Sequence, residues 1–412
     1  MKFKNVDRRL FTILMIVFVN MTGASMILPI LPLYAQRQFE LPPQIITLLV
    51  SAFFAGQFLA GPYLGRLSDK YGRLPVLIVS QVGTAISFVM LGLAQNVETL
   101  FIARILDGIT GGNIIVAQAY IIDITPREKR THSLGYVFAI FGLGFTIGPA
   151  LGGALSAAFG VRIPFLLAAI VATATVLLTW FTLDESLTPE QRQANREYRR
   201  GGLSPKAIMS NYLLLLIMGI AFIGQFAMGM LMSTFALLGE AVYFVNYSDR
   251  VTNLGVGLLL MVVGLSQVFT QMFLLKPLLR RFSEAKLVLL GSIVRSLAFF
   301  VFAIVVSPWL AVIGSILLPV GMGVVMPALQ SLATTTVADE LRGGVLGIYQ
   351  SALNLSVVFG TALGGILFAV MPTMPYWVGG ILSILVMLPA LILLRQFNGR
   401  PVKDKEALSA NV

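Results

Sequence analysis

The amino-acid sequence predicts an all-α membrane protein with twelve transmembrane helices in two pseudo-symmetric six-helix bundles. Apolar residues make up 57% of the chain and charged residues only 11%, whereas soluble domains carry about 25% charged residues. The few charges lie in short clusters between apolar stretches long enough to cross a hydrocarbon core of about 30 Å. The two halves of the chain also share an internal repeat. These observations exclude a soluble globular protein.

The apolar stretches form two sets of six predicted spans. The first stretch, residues 10–33, is longer than the apolar region of a signal peptide and is therefore assigned as a span. An even number of spans places both termini on the same side of the membrane. The predicted spans are 10–33, 44–65, 75–95, 98–122, 134–157 and 161–182, followed by 208–237, 254–275, 287–306, 308–335, 344–369 and 375–394.

The basic residues predict the orientation of these spans. Nearly all Lys and Arg side chains lie in segments on the same side as the N-terminus. The positive-inside rule places that side, with both termini, in the cytoplasm, and the protein in the cytoplasmic (inner) membrane. The same one-sided distribution explains the net charge of +11 without nucleic-acid binding. The exceptions are Arg37, Arg162 and Arg250 on the outer side, and Arg104 and Arg295 within spans.

The sequence offers few groups for metal or cofactor chemistry. It has no Cys and a single histidine, His132, which excludes disulfides, thiolate metal sites and multi-histidine metal sites. It contains no G-x-x-x-x-G-K-(S/T) phosphate loop, and no nucleophile–base set can be assembled from its residues. We therefore expect no metal, no cofactor and no enzymatic activity.

The internal repeat divides the chain into two halves. Residues 135–153 align without gaps with residues 347–365, and the same offset pairs Arg130 with Arg342. Parallel repeats of this kind place a transport site between the halves, near the membrane midplane. The polar segment between the halves has no apolar run and is predicted to be a linker. The predicted domains are a six-helix bundle at 1–182, a cytoplasmic linker at 183–207 and a second six-helix bundle with a short tail at 208–412.

The segment GRLSDKYGR, residues 65–73, follows the second predicted span. It resembles the G-x-L-x-D-(R/K)-x-G-R loop of the major facilitator superfamily, whose members share the twelve-helix architecture predicted above. The resemblance implies a cytoplasmic gate in which Arg73 pairs with Asp123 and Asp69 approaches the start of helix 11, around Gly343 to Leu346. The residues assigned to this gate are Gly65, Asp69, Gly72, Arg73 and Asp123.

The fifth predicted span carries a second pattern of small residues. Its spacing resembles the antiporter motif G-x8-G-x3-G-P-x2-G-G of drug:proton antiporters in the same superfamily. Small residues four apart lie on one helix face and let helix backbones approach closely, and the proline is expected to kink the helix. The resemblance favours export over uptake. The motif residues are Gly135, Gly144, Gly148, Pro149, Gly152 and Gly153.

The fourth predicted span contains two charges near its middle. Its residues 103–125 resemble the R-x-x-(Q/A)-G segment of drug:proton antiporters and tetracycline-efflux proteins, with Asp107 departing from the usual Gln or small residue. Arg104 and Asp107 are three positions apart and share a helix face. A charge at this depth needs a partner or a water-filled cavity. The pair is predicted to be the charged centre and the site of proton coupling; a purely structural ion pair is the alternative.

Other polar residues are candidates to line the substrate cavity. Many of the similar efflux proteins have an Asp at the position of Asn20. Because Asn cannot titrate, proton coupling must use Asp107, Glu240 or one of the motif acids, and Glu240 is the next candidate after Asp107. For Arg295, a cavity role and a snorkelling or lipid-facing role are both open. In the family, helices 1, 4, 7 and 10 line the cavity, so the candidates are Asn20, Asn113, Gln118, Gln225 and Gln330.

Together these features predict a secondary active transporter that works by alternating access. The expected activity is proton-coupled efflux of a lipophilic or amphipathic compound, of multidrug or tetracycline-like type. The alternatives are a symporter or facilitator for a polar metabolite, or a non-transporting membrane receptor. The expected partners are the small-molecule substrate, protons as coupling ion and membrane lipid, without nucleic acid, and the protein is expected to be a monomer.

Overall fold

The computed structural model describes residues 8–111, 113–126, 130–187, 211–337 and 342–398. Over these ranges the regular secondary structure is helical, without β-strands. Most of the predicted linker, residues 188–207, lies outside the described residues. The end of the C-terminal tail, after residue 398, lies outside them as well.

Twelve helices in the described part of the chain are long and apolar enough to cross a membrane, which confirms the predicted fold class. We label them α1 to α12, and we call the end of the molecule at which α1 begins the inner end. They are α1 Arg9–Phe39, α2 Pro43–Tyr71, α3 Arg73–Gly92, α4 Val97–Ile124, α5 Arg130–Phe159, α6 Ile163–Thr182, α7 Tyr212–Tyr243, α8 Asp249–Arg281, α9 Glu284–Ile304, α10 Pro308–Thr335, α11 Arg342–Val370 and α12 Met374–Phe397.

Several helices extend beyond the predicted spans, because an apolar run marks only the part of a helix that lies inside the membrane. The clearest case is α2, which continues to Tyr71, so most of the segment predicted as a loop is helical. The turn falls at Gly72, whose φ of 111° lies in the region that favours glycine. Helix α3 begins at the next residue, Arg73.

Helices α1, α4 and α12 are interrupted within their spans, α12 at Val386, between segments Met374–Leu385 and Met387–Asn398. Helix α1 consists of segments Arg8–Ile27 and Ile30–Phe39. The break coincides with Pro29, which has no backbone N–H to donate. Helix α4 consists of segments Val97–Thr110 and Asn113–Ile124. A helix break inside a membrane is tolerated where it is buried in protein or lines a cavity.

Helix α5 packs closely against one helix of its own half and one of the other half. A Cβ atom added at Gly144 would lie 2.8 Å from the Cβ of Met21 on α1. The Ser25 hydroxyl on α1 donates a hydrogen bond of 2.8 Å to the Gly144 carbonyl. On another face, a Cβ at Gly153 would lie 2.5 Å from the Asn253 carbonyl oxygen on α8. The small residues therefore permit both helix contacts.

The buried apolar side chains in the described part of the chain form three clusters. The first, away from the inner end, contains side chains of both halves, including Phe165 on α6 and Phe302 on α9. The other two lie toward the inner end, and each belongs to a single half: Tyr120 marks the cluster of the first half and Leu329 that of the second. The two halves therefore share a core at the outer end and have separate cores at the inner end.

Candidate functional site

The two predicted charges of α4 form a buried ion pair. Arg104 Nη1 lies 2.8 Å from Asp107 Oδ2, and the two residues are 8% and 5% exposed. Their spacing of three residues places them on one helix face, as the sequence predicts. The guanidinium also stacks over Phe53 of α2, with 4.3 Å between its carbon and the ring centroid. Pairing and stacking together stabilise a charge that the membrane interior disfavours.

The ion pair lies next to the interruption of α4. The backbone N–H of Gly111 donates a hydrogen bond of 2.6 Å to the Asp107 carbonyl, where the first segment of α4 ends. A Cβ atom at Gly108 would overlap the Phe53 carbonyl oxygen, so the missing side chain lets α4 approach the backbone of α2. Asp107 is thus held at a break in its helix, between close-packed backbones.

Asn20 lines a small cavity between α1, α3 and α4. The cavity has a volume of about 10 Å³, roughly the space of one water molecule. Its wall includes Gln81, which is 2% exposed and whose two side-chain polar atoms have no hydrogen-bond partner among the described residues. Buried polar groups normally have a partner, which is often an ordered water. The sequence did not single out Gln81 as a cavity residue.

The other cavity candidates do not meet in one enclosed pocket. Gln118 and Gln225 are partly buried, and Gln330 is exposed. Gln225 Oε1 is buried without a hydrogen-bond partner in the described part of the chain. The side chain of Asn113 lies outside the described residues. The predicted contact of these side chains with substrate stays a prediction.

Arg73 is the centre of a polar cluster at the inner end. Its guanidinium pairs with Asp69 at 2.6 Å and with Asp123 at 2.9 Å. The Arg73–Asp123 contact is the one predicted from the resemblance. Gly65 and Gly72 frame the segment: a Cβ at Gly65 would meet open space, and Gly72 forms the turn. The predicted approach of Asp69 to the start of α11 stays a prediction, because part of that segment, the side chains of residues 342–344, lies outside the described residues.

Glu185 belongs to this cluster as well, and sequence reasoning missed it. Its carboxylate accepts hydrogen bonds from the backbone N–H groups of Arg73, at 2.9 Å, and Leu74, at 3.2 Å. It thereby caps the N-terminus of α3, where backbone donors are free and negative charge is favoured. The chain just after α6 is therefore tied to the start of α3. No spacing rule connects residues so far apart in the sequence.

The motif glycines of α5 contact two different helices. Gly144, Gly148 and Gly152 face α1, where added Cβ atoms would meet residues Met21 to Met26. Gly153 and the carbonyl of Pro149 face α8, against Asn253 and Gly257. The side-chain environment of Gly135 lies outside the described residues. The motif therefore brings α5 close to a helix of each half.

A polar network at the outer end joins the two halves. Arg37 at the end of α1 donates from Nε to Glu240 Oε1, at 2.7 Å, and from Nη1 to Asn253 Oδ1, at 3.0 Å. Asn253 Nδ2 in turn donates to Ser156 Oγ on α5, at 2.8 Å. Asp249 lies farther away, 3.7 Å from Arg37. The sequence marked Arg37 only as an exception to the charge distribution, because its partners lie in the other half.

Arg295 is fully buried inside the second half. It is 1% exposed, so the snorkelling and lipid-facing alternative is wrong. Its Nε lies 3.3 Å from Ser383 Oγ on α12, and its guanidinium abuts Gly224 on α7. The exposed face of α9 carries apolar side chains, including Leu290, Ile293 and Leu297. Arg295 points away from that face, between the neighbouring helices.

A membrane-embedded fold of twelve helices, with buried charges at mid-depth and two halves that share an apolar core toward one end, is typical of a polytopic transport protein. The Major Facilitator Superfamily matches the chain over residues 13–248 and 230–411. The chain belongs to this superfamily and is a transporter. The superfamily and the relatives described below are transporters and not enzymes.

Two relatives are similar to the chain in sequence over most of its length. The class C tetracycline resistance protein of Escherichia coli is 30% identical over 391 residues, which cover 93% of this chain and 96% of that protein. Multidrug resistance protein 2 of Bacillus subtilis (strain 168) is 28% identical, with coverage of 92% and 94%.

Solved structures of transporters share the fold at low sequence identity. A point mutant of the nucleoside transporter NupG matches with a TM-score of 0.79 at 14% identity, over 93% of this chain and 99% of that one. The human organic anion transporter MFSD10 matches with a TM-score of 0.67 at 20% identity, with the same coverage. These similarities concern the fold alone.

Proposed function

We propose that this transporter exports lipophilic or amphipathic small molecules in exchange for protons. The observation that carries the proposal is Asp107, the one carboxylate at mid-depth in the described spans, buried beside Arg104. A carboxylate can bind and release a proton, and a buried ionisable group in a membrane span is a functional candidate by default. Relatives that are named as tetracycline and multidrug resistance proteins support a drug-like substrate.

Proton exchange at Asp107 accounts for coupling in the following way. When the outer end is open, the Asp107 carboxylate binds one proton from the outer solution. When the inner end is open, the same group releases the proton, and substrate moves in the opposite direction. Protonation neutralises the carboxylate and removes its attraction to Arg104, which stays charged at all relevant pH values. The change in pairing links the proton to the conformational change.

Alternating access requires a second state in which the outer end is open. The shared outer core and the Arg37 network support the assignment of the present structure to the outward-closed state. In the opposite state Arg37 separates from Glu240, and the inner ends come together. The cluster around Arg73 is then in position for Asp69 to reach the start of α11, as the resemblance to the superfamily loop implies.

The arrangement in the cell follows from the charge distribution. We place the first bundle at 1–182, the linker at 183–207 and the second bundle at 208–412, with the linker and both termini in the cytoplasm and the spans in the inner membrane. The protein acts as a monomer in contact with lipid. Because the chain contains no Cys, single cysteines introduced in the linker and in outer loops report sidedness without background labelling.

The proposed export is tested with purified protein in proteoliposomes that have an acidic lumen. Tetracycline, a lipophilic cation, a neutral drug and a sugar are supplied outside, and their accumulation is measured with and without the pH gradient. We expect gradient-dependent accumulation of tetracycline or of a lipophilic probe. Movement of the sugar alone, or accumulation that does not respond to the gradient, would reject proton-coupled export and favour the symporter or facilitator.

A further inference from the structure

Arg295 reaches across the second half from α9 to α7. It lies near the middle of Glu284–Ile304, eleven residues or about 16 Å from the inner end of that helix. A Cβ atom at Gly224 would overlap Nη1 of Arg295. The guanidinium therefore abuts the backbone of α7, and α7 contacts α1 and α2 of the first half. Its depth is the one at which substrate sites of repeat-built transporters lie.

Among the described residues of its own half, Arg295 has no carboxylate within ion-pair distance. Of the charged residues in the described helices α7 to α12, it is the one that lies at mid-depth. Glu240, Asp249 and Glu284 lie at helix ends. In the first half, Asp107 is already paired with Arg104. The buried charges at mid-depth in the described spans thus comprise one balanced pair and one unbalanced cation.

The unpaired atoms of Arg295 form one edge of its guanidinium. Nε is directed at Ser383, whereas Nη1 and Nη2 are buried and have no hydrogen-bond partner in the described part of the chain. Two parallel donors on one edge match the two oxygens of a carboxylate, sulfonate or phosphate group. Burial of an unpaired, permanently charged group is unfavourable, so an anionic partner is strongly stabilised at this position.

We propose that Arg295 is an anion-recognition residue, and that the transporter selects amphipathic substrates that carry a negatively charged group. This inference rests on the proposed function and specifies its substrate class. In the outward-closed state the backbone of α7 covers the guanidinium edge formed by Nη1 and Nη2. This edge becomes accessible when α7 moves with the rearrangement of the two halves. The anionic group then binds Nη1 and Nη2, and the apolar part of the substrate lies against the neighbouring helices.

The test uses three probes with one apolar scaffold: 1-pyrenebutyrate, its methyl ester and the corresponding trimethylammonium cation. Binding to the purified full-length protein is measured by equilibrium dialysis in detergent. We expect the wild type to bind the carboxylate about tenfold or more tightly than the ester or the cation. In Arg295→Gln this preference should fall to within about twofold, and Arg295→Lys should keep part of it.

The control variant is Arg250→Gln, which removes one exposed positive charge at the outer end. It should keep the wild-type preference, because it lies far from the guanidinium edge. The proposal is overturned if the wild type shows no preference for the carboxylate, if Arg295→Gln retains the preference, or if the variant weakens all three probes equally. If Arg295→Gln fails to fold, the proposal is still overturned by a wild type without preference for the carboxylate, and Arg295→Lys then tests whether the preference depends on this side chain.

Dialysis also separates this inference from the proposed function. A wild type that prefers the carboxylate but shows no pH-driven transport would contradict proton-coupled export and leave the anion site intact. A wild type that accumulates lipophilic probes under a pH gradient, with no preference for charge, would contradict the anion site alone.

Discussion

At the scale of single residues, Arg73 is the centre of the polar contacts described at the inner end. Its side chain pairs with Asp69 and Asp123, and its backbone N–H donates a hydrogen bond to the Glu185 carboxylate. Arg73 is 7% exposed, so these contacts are poorly screened by solvent. One residue therefore connects the end of α2 and the end of α4 through its side chain, and the chain after α6 through its backbone N–H.

Replacing Arg73 with Gln should destabilise the protein by about 2 kcal/mol, because two partly buried carboxylates lose a charged hydrogen-bond donor. Thermal unfolding in detergent measures the effect. The control is Arg9→Gln, which breaks the pair between Arg9 and Asp184, 47% and 78% exposed, and should change stability by less than about 1 kcal/mol. Equal effects of the two substitutions would show that the Arg73 cluster is not a stabilising centre.

At the scale of secondary structure elements, the helix contacts depend on where side chains are missing. Gly148 on α5 faces α1, and an added Cβ would overlap Ser25 Oγ and lie 2.7 Å from the Thr22 carbonyl oxygen. Gly219 on α7 has no atom within 4 Å of the corresponding position. Replacement by Ala therefore creates a clash with α1 at Gly148, whereas at Gly219 the added methyl group meets no neighbouring atom.

Gly148→Ala should destabilise the protein by about 1–3 kcal/mol, since the α1–α5 contact must open to admit the methyl group. Gly219→Ala should leave stability unchanged or raise it by up to about 1 kcal/mol, because Ala favours the helix. Thermal unfolding of the two variants under identical conditions checks this. A Gly148→Ala protein as stable as Gly219→Ala would contradict the packing described for α5.

The Arg37–Glu240 pair joins the end of α1 to the end of α7, and its loss should favour opening of the outer end. Arg37 and Glu240 have side chains 18% and 24% exposed, and the atoms Arg37 Nη2 and Glu240 Oε2 are buried. Glu240→Gln removes the charge of the acceptor while keeping its shape. We therefore expect a shift of population toward the outward-open state, without loss of the fold.

Spin labels at Glu98→Cys and Tyr247→Cys measure this shift, since both residues are exposed at the outer end, in opposite halves. The chain has no native Cys to interfere. Glu240→Gln should add a longer component to the distance distribution. Asp249→Asn is the control: Asp249 is 77% exposed and 3.7 Å from Arg37, so it should have little effect. An unchanged distribution in Glu240→Gln would exclude the pair as an outer gate.

At the scale of the whole molecule, hydropathy predicted the twelve helices because membrane spans must be long, apolar and internally hydrogen-bonded. The Arg104–Asp107 pair followed from its three-residue spacing within one helix. Residues that meet across the halves were not predictable in this way, and Arg37 with Glu240 is the example. Their proximity depends on how the two six-helix bundles pack against each other, and no local sequence pattern predicts that packing.

The orientation of Arg295 was beyond sequence reasoning for a related reason. Helix α9 is apolar almost all round, so its pattern does not distinguish the face toward lipid from the face toward its neighbours. Only the packing of α9 against α10 and α12 fixes the side chain inside the bundle. The break of α1 near Pro29 was equally hidden, because the apolar run continues through it.

The central claim is that Asp107 couples proton movement to export. Asp107→Asn keeps the size of the side chain and removes its ability to bind and release a proton. In proteoliposomes with an acidic lumen, this variant should lose accumulation of substrate against a gradient, while downhill exchange of the same substrate continues. Asp184→Asn, which changes an exposed carboxylate, should transport as the wild type does. An Asp107→Asn protein that still concentrates substrate to the wild-type level would contradict the claim.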